Sequence, residues 1–501
     1  MRILIVSPHF PPTNAADMQR VRLLLPYLRL NGVQAEVLCV ESSQVAAPQD
    51  DWLGQGQSSE VRVHRVRALG LCWGRIPGFG TLTFRALGVL RNCGDTLLSR
   101  GGFDLVFFST TQFGLHVLGP RWKTKFGVPF VMDYQDPWVS DYYSQHPEVV
   151  PPGGRLKYAI SSRLSRCQEP RVLRHCSGIT SVSAAYPRLL QARYPWLDVV
   201  EEKQIFFKQI ASTTPFSGAR GQESENVGIR CAALPTESGA SSNFPVFETS
   251  ISGPPEVGRH RLPSLVIPFP GDRRDLDRIK LDGIRQHVFD PNDGYTHWVY
   301  VGRGGGDMAL AVRSLFLAFQ ISINSQPATP TPSLHALRLH FIGTSYAAAG
   351  RGKKTIESLA AEFGLERMVI EDTDRIPYSQ TLRCLLDADA LIVPGSDDPG
   401  YTASKIYPYL LAEKPLLTVF HEESSVLRLV REVGGAVGVS FRTGESPVEI
   451  SQRIRELWLD SGAFAKAVPL DEMAFEPYTA AAQAQQLGAF FQTVLDLDGP
   501  F

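Results

Sequence analysis

The chain has 501 residues, of which 43% are hydrophobic and 20% are charged, and its net charge is −1. This length allows two or three domains, and the composition excludes disordered and fibrous proteins. The charge is uneven, since residues 1–190 carry 21 Lys and Arg against 13 Asp and Glu, a net of +8, while the other residues carry 29 against 38, a net of −9. A basic first half either meets an anionic partner, such as a membrane surface, or reflects arginine-rich solvated helix faces.

The seven cysteines are scattered without a Cys-x-x-Cys pair. The sequence therefore predicts neither a metal site nor a disulfide framework, and it fits a reducing compartment. The first apolar run, residues 3–6, is too short for a signal peptide, and no apolar run is long enough to span a membrane. We therefore expect a cytoplasmic protein. Nucleic-acid binding is not expected, because the chain has no recognised motif and no overall basic charge.

Strand-like apolar runs alternate with helix-period segments from the N-terminus, which is typical of parallel α/β architecture. Residues 3–6 and 35–40 are predicted strands, and the apolar residues of 17–30 recur at helical spacing between them. Further strands are predicted at 105–108, 129–132 and 178–182. These elements predict a first domain at residues 1–195.

The pattern breaks at residues 196–262, where Ser, Thr, Gly, Pro and Glu are frequent, and we expect an irregular insertion there. A second α/β series follows, with predicted strands at 298–301, 337–342, 368–370, 390–393 and 416–419. It predicts a second domain at 263–470, followed by closing helices at 471–501 that pack back on the first domain. The fold class is thus α/β, with two Rossmann-like domains facing across a cleft at the carboxyl ends of their strands.

The segment 400–417 follows a buried strand and contains a short predicted helix. The helix is expected to begin at Thr402 or Ser404, and its unpaired backbone N–H groups would suit a phosphate. Lys405, in the predicted first turn, would add a positive charge. The alternative is an ordinary βαβ crossover with a surface lysine.

These motifs, in this order, resemble the GT-B glycosyltransferases of the family-4-like group. The resemblance covers most of the chain outside 196–262. It rests on the strand and loop from Ile3 to Pro12, Asp133-Tyr134-Gln135-Asp136-Pro137-Trp138, the connection from Val266 to Asp272, Tyr300-Val301-Gly302-Arg303, Arg375-Ile376-Pro377-Tyr378 and Ser404-Lys405-Ile406-Tyr407. It implies transfer of a hexose from a nucleoside diphosphate sugar to a glycan or lipid-linked acceptor, with retention at the anomeric centre and without a metal or other cofactor.

The resemblance also implies two sets of binding residues. The expected donor-binding residues are Gly302, Arg303, Arg375, Ile376, Tyr401, Thr402, Ser404 and Lys405. Glycine lets the backbone approach the diphosphate, the cations meet its charge, and Ile376 lies against the base. The expected acceptor-side loop contains Pro12, Asn14 and Asp17. Arg303 has the alternative interpretation of a surface turn residue, and Asp17 that of a helix cap.

Asp133 and Asp136 are the candidate catalytic residues, because both follow an apolar strand in a turn that this fold directs at the cleft. A carboxylate there would accept the proton of the acceptor hydroxyl or stabilise positive charge on the donor sugar. The alternative is that Asp136 caps the next segment and Asp133 satisfies local backbone amides.

Three departures from the family pattern leave other functions open. Gly400 and Pro408 stand where relatives often have two Glu residues, residues 14–16 lack a usual Gly pair, and residues 304–308 lack a usual lysine. A non-catalytic scaffold in a polysaccharide assembly complex is therefore an alternative. A sugar-nucleotide epimerase is another.

The segment 61–101 carries seven Arg, one His and a single Asp, interleaved with apolar residues. Such a surface would meet a lipid-linked acceptor at the inner face of a membrane. The alternative is a helix and loop whose apolar side belongs to the core.

Overall fold

The computed structural model describes residues 1–56, 60–75, 80–140, 154–202, 259–325, 336–345, 347 and 350–499. Within these residues the chain forms two parallel β-sheets flanked by helices. The predicted fold class is confirmed, because each sheet is the centre of a separate Rossmann-like domain.

The first sheet has eight strands in the order β3-β2-β1-β4-β5-β6-β8-β7, and all neighbouring pairs are parallel. The central strands are buried along their length because crossover helices cover both faces of a parallel sheet. The strands are β1 (Arg2–Val6), β2 (Gln34–Val40), β3 (Arg62–Val66), β4 (Leu105–Ser109), β5 (Phe130–Tyr134), β6 (Gly178–Ser181), β7 (Leu197–Glu201) and β8 (His260–Val266).

The second sheet has six parallel strands in the order β11-β10-β9-β12-β13-β14, which is the strand order of a doubly wound nucleotide-binding fold. Its core holds Trp298, Tyr300, Phe316 and Phe341, all at most 2% exposed. The strands are β9 (Thr296–Val301), β10 (Leu337–Ile342), β11 (Val369–Asp372), β12 (Ala390–Pro394), β13 (Leu416–His421) and β14 (Val437–Phe441).

The helices cover the sheets in chain order. Those that follow strands of the first sheet are α1 (Gln19–Leu30), α2 (Asp51–Gln55), α3 (Leu82–Ser99), α4 (Leu118–Phe126), α5 (Arg155–Leu173) and α6 (Ala185–Arg193). Those of the second domain and the C-terminal segment are α7 (Arg273–Leu281), α8 (Ala309–Asn324), α9 (Ile356–Ala361), α10 (Tyr378–Asp387), α11 (Ile406–Leu411), α12 (Ser425–Val433), α13 (Pro447–Ile454), α14 (Glu472–Phe475) and α15 (Ala480–Leu497).

The prediction that residues 196–262 are irregular is wrong at both ends of this segment, where the structure has strands. β7 and β8 pair with each other, and β8 also pairs with β6, so both strands belong to the first sheet. The polar composition beside these short strands, and Pro263 within β8, hide their pattern in the sequence. The remainder of the predicted insertion, residues 203–258, lies outside the described residues.

The C-terminal helix α15 lies against the first domain. Its apolar side packs with α1 and with the strands beneath it, and Phe491 meets Phe107 of β4 with ring centroids 5.1 Å apart. The chain therefore returns to the first domain after the second domain is complete.

One side of the domain pair is closed by polar contacts between helices. Arg22 of α1 forms a two-pronged ion pair with Asp275 of α7, at 2.9 and 2.5 Å. Asp50, which caps α2, accepts hydrogen bonds from the backbone N–H and the hydroxyl of Ser379 at the start of α10. These contacts fix the relative positions of the two sheets.

Among the described residues, one helical segment, Gly306–Asn324, is long and apolar enough to cross a membrane. It contains α8, whose Val312, Leu315, Phe316 and Phe319 lie in the core of the second domain.

A buried ion pair joins the first sheet to α1. Arg20 Nε lies 3.0 Å from Asp133 Oδ2, and both side chains are fully buried. Removing one partner of such a pair costs about 3–5 kcal/mol, because it leaves a buried charge uncompensated. We therefore expect Asp133→Asn to lower the free energy of unfolding by that amount.

Urea unfolding followed by circular dichroism measures this change. Asp277→Asn is the matched control, because Asp277 is exposed on α7. An Asp133→Asn midpoint equal to that of the control would show that the ion pair does not stabilise the fold.

Candidate functional site

The carboxyl ends of the two sheets face each other, and the loops that follow them form the candidate site. Electrostatic interactions reach across the cleft between these loops. Arg303, after β9, is close enough to Asp136, after β5, to act on the pKa of that carboxyl. Thr402 of the second domain is close enough to Tyr186 of α6 to act on the pKa of its hydroxyl.

Lys405 lies over the end of β9 because position 302 is a glycine. A Cβ atom at Gly302 would overlap Lys405 Nζ and approach the Tyr300 hydroxyl. The ammonium donates to that hydroxyl at 2.7 Å. Burial, and then the positive charges of Arg303 and Arg375, lower the pKa of Lys405 to about 7. Gly302 thus allows the Lys405 ammonium to pack directly against the backbone, where any side chain would displace it.

Arg303 is held in place before any ligand binds. Its guanidinium forms two hydrogen bonds to Asp307, at 2.8 and 2.6 Å, and lies 4.8 Å from the centre of the Tyr401 ring. Burial opposes its charge, but Asp307 and the neighbouring tyrosines raise the pKa of Arg303 above its usual value. We call Arg303, Arg375 and Lys405 the cation cluster; the two guanidinium groups act on the Lys405 ammonium, and this concentration of positive charge attracts anions.

The predicted helix start is wrong. α11 begins at Ile406 and has six residues, with Lys405 as its N-cap, whereas Thr402 lies in irregular chain and Ser404 in the turn before it. The helix thus begins two to four residues later than predicted, so Thr402 and Ser404 do not supply helix N–H groups. The side chains of the cation cluster supply the positive charge for a phosphate at this place.

The loop before α10 carries the other expected donor-binding residues. Arg375 is exposed, and Ile376 is half-buried against the core of the second domain. Asp374 accepts a hydrogen bond from the backbone of Gly350, which ties the loop to the segment after β10. Arg375 thus reaches the cluster from a braced loop.

Asp136 is the carboxylate that the first domain presents to the cleft. Its side chain is exposed to water. Desolvation, and then the negative charge of Asp17, raise the pKa of Asp136 to about 6, although Arg303 acts to lower it. A carboxyl group that titrates near neutral pH is suited to exchange a proton with a bound hydroxyl.

Asp133 has a different environment from the one expected of a catalytic residue. It is fully buried, and its oxygens accept hydrogen bonds from Ser109, Gln135 and Thr180 at 2.8 to 3.0 Å. With Arg20 beside it, Asp133 is saturated with protein partners. The prediction that Asp133 contacts substrate is therefore dropped, and its role is structural.

Asp17 lies in a short 3-10 helix before α1 and forms a pair with His9. His9 Nδ1 is 2.8 Å from Asp17 Oδ1, and Thr110 and Thr111 donate to the other oxygen. Burial opposes its ionisation, but these bonds lower the pKa of Asp17. The sequence analysis missed His9; the signal was a histidine three residues after β1, at the edge where both predicted sites lie.

The other two residues of the expected acceptor-side loop brace a neighbouring segment. The Pro12 carbonyl accepts from the backbone of Asp50, and the Asn14 backbone donates to Pro48, at 2.8 and 2.7 Å. Both residues are half-buried. Within the described residues, no three His, Cys, Asp or Glu side chains are grouped to hold a metal ion.

The fold and site thus define a two-domain α/β protein with an anion-attracting cluster on one side of a cleft and titratable groups on the other. Residues 19–200, in the first domain, match the family model described as a glycosyl transferase 4-like domain. A comparison with curated proteins gives no match.

Among solved structures, the chain is similar to three proteins of trehalose phosphate metabolism. The α,α-trehalose 6-phosphate synthase from Burkholderia multivorans is 10% identical, with 100% of this chain and 99% of that chain covered and a TM-score of 0.53. The N-terminal domain of trehalose-6-phosphate phosphatase from Candida albicans is 10% identical, with 98% of this chain and 97% of that chain covered and a TM-score of 0.53. The UDP-forming α,α-trehalose-phosphate synthase from Burkholderia vietnamiensis is 10% identical, with 99% of each chain covered and a TM-score of 0.51. The resemblance expected from the sequence is confirmed, and the chain has a glycosyltransferase-like GT-B fold.

The glycine at position 302 offers a test of the cation cluster. Gly302→Ala displaces Lys405, so we expect the affinity for inorganic pyrophosphate to fall about tenfold, the effect of losing about 1.4 kcal/mol. The melting temperature should also fall, because the Cβ atom would lie 2.8 Å from the hydroxyl of buried Tyr300, so the affinities are compared at a temperature where the variants are folded.

Calorimetric titration of pyrophosphate measures the change. Gly306→Ala is the matched control from the same loop, where a Cβ atom has nothing within 4 Å. Equal affinities in the two variants would show that the position of Lys405 does not matter for anion binding.

Proposed function

We propose that the protein is a glycosyltransferase that moves a hexose from a nucleoside diphosphate sugar to a glycan or lipid-linked acceptor. The reaction would serve the synthesis of a surface polysaccharide or glycoconjugate, in the cytoplasm, with retention at the anomeric centre. The observation that carries the proposal is that Arg303 of the cation cluster is close enough to Asp136, across the cleft, to act on the pKa of its carboxyl. The GT-B fold and the glycosyl transferase 4-like match support it.

The cation cluster is suited to the leaving group of this reaction. When the bond between sugar and diphosphate breaks, negative charge develops on the diphosphate, and fixed cations nearby stabilise it. Arg303 provides a planar fork for two oxygens, and Lys405 provides a point charge. With this charge compensation from side chains, the proposed mechanism uses no metal ion.

The first domain supplies groups for the acceptor. Asp136 would take the proton of the attacking hydroxyl or stabilise positive charge on the donor sugar. The His9–Asp17 pair lies on the same edge, and the charge of Asp17 acts directly on Asp136. A proton accepted by Asp136 thus has a buried negative charge beside it that favours its retention.

The family departures at Gly400 and Pro408 favour a second candidate, a non-catalytic scaffold that binds a nucleotide sugar or none. Pro408 lies inside α11 and has no side-chain group that can hold ribose hydroxyls. An epimerase would release free nucleoside diphosphate without a glycosylated product. Nucleotide binding and product analysis separate the three functions.

The first test is a thermal-shift titration with UDP, GDP, ADP, TDP and CMP. A nucleotide at about a hundred times its dissociation constant stabilises the native state by about 2.7 kcal/mol, so we expect one nucleoside diphosphate to raise the melting temperature. The shift should vanish in the double variant Arg303→Ala and Lys405→Ala. If no nucleotide shifts the wild type, the transferase proposal fails and the scaffold is the better candidate.

The low pKa of Lys405 predicts how this affinity depends on pH. The free protein loses the Lys405 proton near pH 7, whereas a bound diphosphate keeps it, so binding above pH 7 takes up a proton. We expect the affinity to fall by up to about tenfold per pH unit between pH 7.5 and 9. Lys405→Arg is the control, because arginine stays protonated and should bind without this slope. The same slope in both proteins would refute the assignment to Lys405.

The pKa of Asp136 predicts the pH profile of transfer. The ionised carboxylate is the active form, so the rate should rise as pH increases through about 6, where Asp136 loses its proton. Asp136→Asn should lower the rate by about 10²–10⁴-fold, while Asp277→Asn leaves it unchanged. A wild-type rate that falls as pH rises through 6 would mean that the protonated form acts instead.

A further inference from the structure

The outer side of α5 carries an apolar stripe that the described residues leave exposed. Leu156, Ile160 and Leu164 are 77%, 64% and 54% exposed, and their four-residue spacing aligns them along one face of the helix. Cys167, one turn further on, is exposed too. The buried face of the same helix holds Val172 and Leu173, so α5 has apolar residues on two opposite sides.

Positive charges flank this stripe. The helix Arg155–Leu173 contains five Lys and Arg against one acidic residue, Glu169, which is buried. Lys157, Arg163 and Arg171 are exposed, and none of them forms an ion pair within the part of the chain that the structure describes. An exposed apolar stripe between cations matches an anionic lipid surface, which accepts apolar side chains and attracts Lys and Arg.

A second group of exposed apolar side chains belongs to the same side of the first domain. Leu69, Leu71, Trp73 and Phe84 are 41–46% exposed. Both α3, which contains Phe84, and α5 pack against the 3-10 helix Phe113–Val117. The two helices therefore flank the same 3-10 helix, and both belong to residues 1–190, which carry the net charge of +8.

This side of the domain borders the acceptor half of the cleft. The Tyr158 hydroxyl, in the first turn of α5, donates to the Ser140 carbonyl at 3.0 Å. Ser140 follows Asp136 by four residues, so the beginning of the stripe lies beside the turn that carries Asp136. A molecule anchored in a lipid surface under α5 would have a short path to the cleft.

We propose that α5 docks the first domain on an anionic membrane surface, with Leu156, Ile160 and Leu164 inserted among the lipids and Lys157, Arg163 and Arg171 on their headgroups. The proposal narrows the acceptor of the proposed function to a molecule presented at that surface, and to this extent it rests on that function. Vesicle binding itself requires no turnover, so the two proposals fail separately.

The test is flotation of the full chain with phosphatidylcholine vesicles, with and without phosphatidylglycerol. We expect binding to the vesicles that contain phosphatidylglycerol and release at high salt. The triple variant Leu156→Ser, Ile160→Ser and Leu164→Ser should bind at least about tenfold more weakly. The triple variant Lys157→Gln, Arg163→Gln and Arg171→Gln should lose roughly a hundredfold, since each basic residue near the surface contributes about fivefold.

The matched control is Leu30→Ser, Leu281→Ser and Met473→Ser, three apolar side chains that are at least 80% exposed elsewhere on the molecule. It should bind vesicles like the wild type. All variants should keep the circular dichroism spectrum and the urea unfolding midpoint of the wild type, which shows that they are folded. Equal vesicle binding by the stripe variant and the control, or equal binding to neutral and anionic vesicles, would overturn the proposal.

Discussion

The buried ion pair between Arg20 and Asp133 is the interaction on which the geometry of the cleft depends. Arg20 also donates to the Ile267 carbonyl at 2.8 Å and lies 5.3 Å from the centre of the Phe269 ring, so the same guanidinium holds the segment that leads into the second domain. Two charges removed from water remain stable only when partners satisfy them. The pair therefore holds three parts of the chain together: the end of β5, the start of α1 and the connection between the domains at Ile267. Asp136 follows Asp133 by three residues, and its position at the cleft is a consequence.

On the second domain's side of the cleft, by contrast, positively charged side chains lie close to one another. The Lys405 ammonium has a hydroxyl as its partner and two guanidinium groups nearby, which is why it gives up its proton near pH 7. Such an arrangement is unfavourable without an anion and becomes favourable with one. Asp307 limits the repulsion by pairing with Arg303, and it thereby holds the guanidinium ready near the place where an anion enters.

The sequence predicted the parallel sheets because central strands are apolar throughout, and it predicted the cation cluster because Gly302, Arg303 and Lys405 stand in recognisable order. It failed where the outcome depends on tertiary contacts. The sequence assigned Asp133 and Asp136 to one turn, but Asp133 lies within β5 and is buried, whereas Asp136 lies after the strand and is exposed. This difference in surroundings gives the two carboxylates different roles. The predicted start of α11 was too early because residues 402 and 403 are irregular and residues 404 and 405 form a turn before the helix.

The same limit explains why α5 gave no signal in the sequence. Amphipathic patterns are recognised by a contrast between an apolar and a polar face, and this contrast disappears when a helix is apolar on both sides. Leu156, Ile160 and Leu164 have the spacing of core residues, and in isolation they would be assigned to the interior. The structure places Val172 and Leu173 in the interior instead, which leaves the first three residues outside, among Lys and Arg. The basic charge of the first half of the chain and its exposed apolar residues then have one common explanation, a surface that faces anionic lipid beside the cleft.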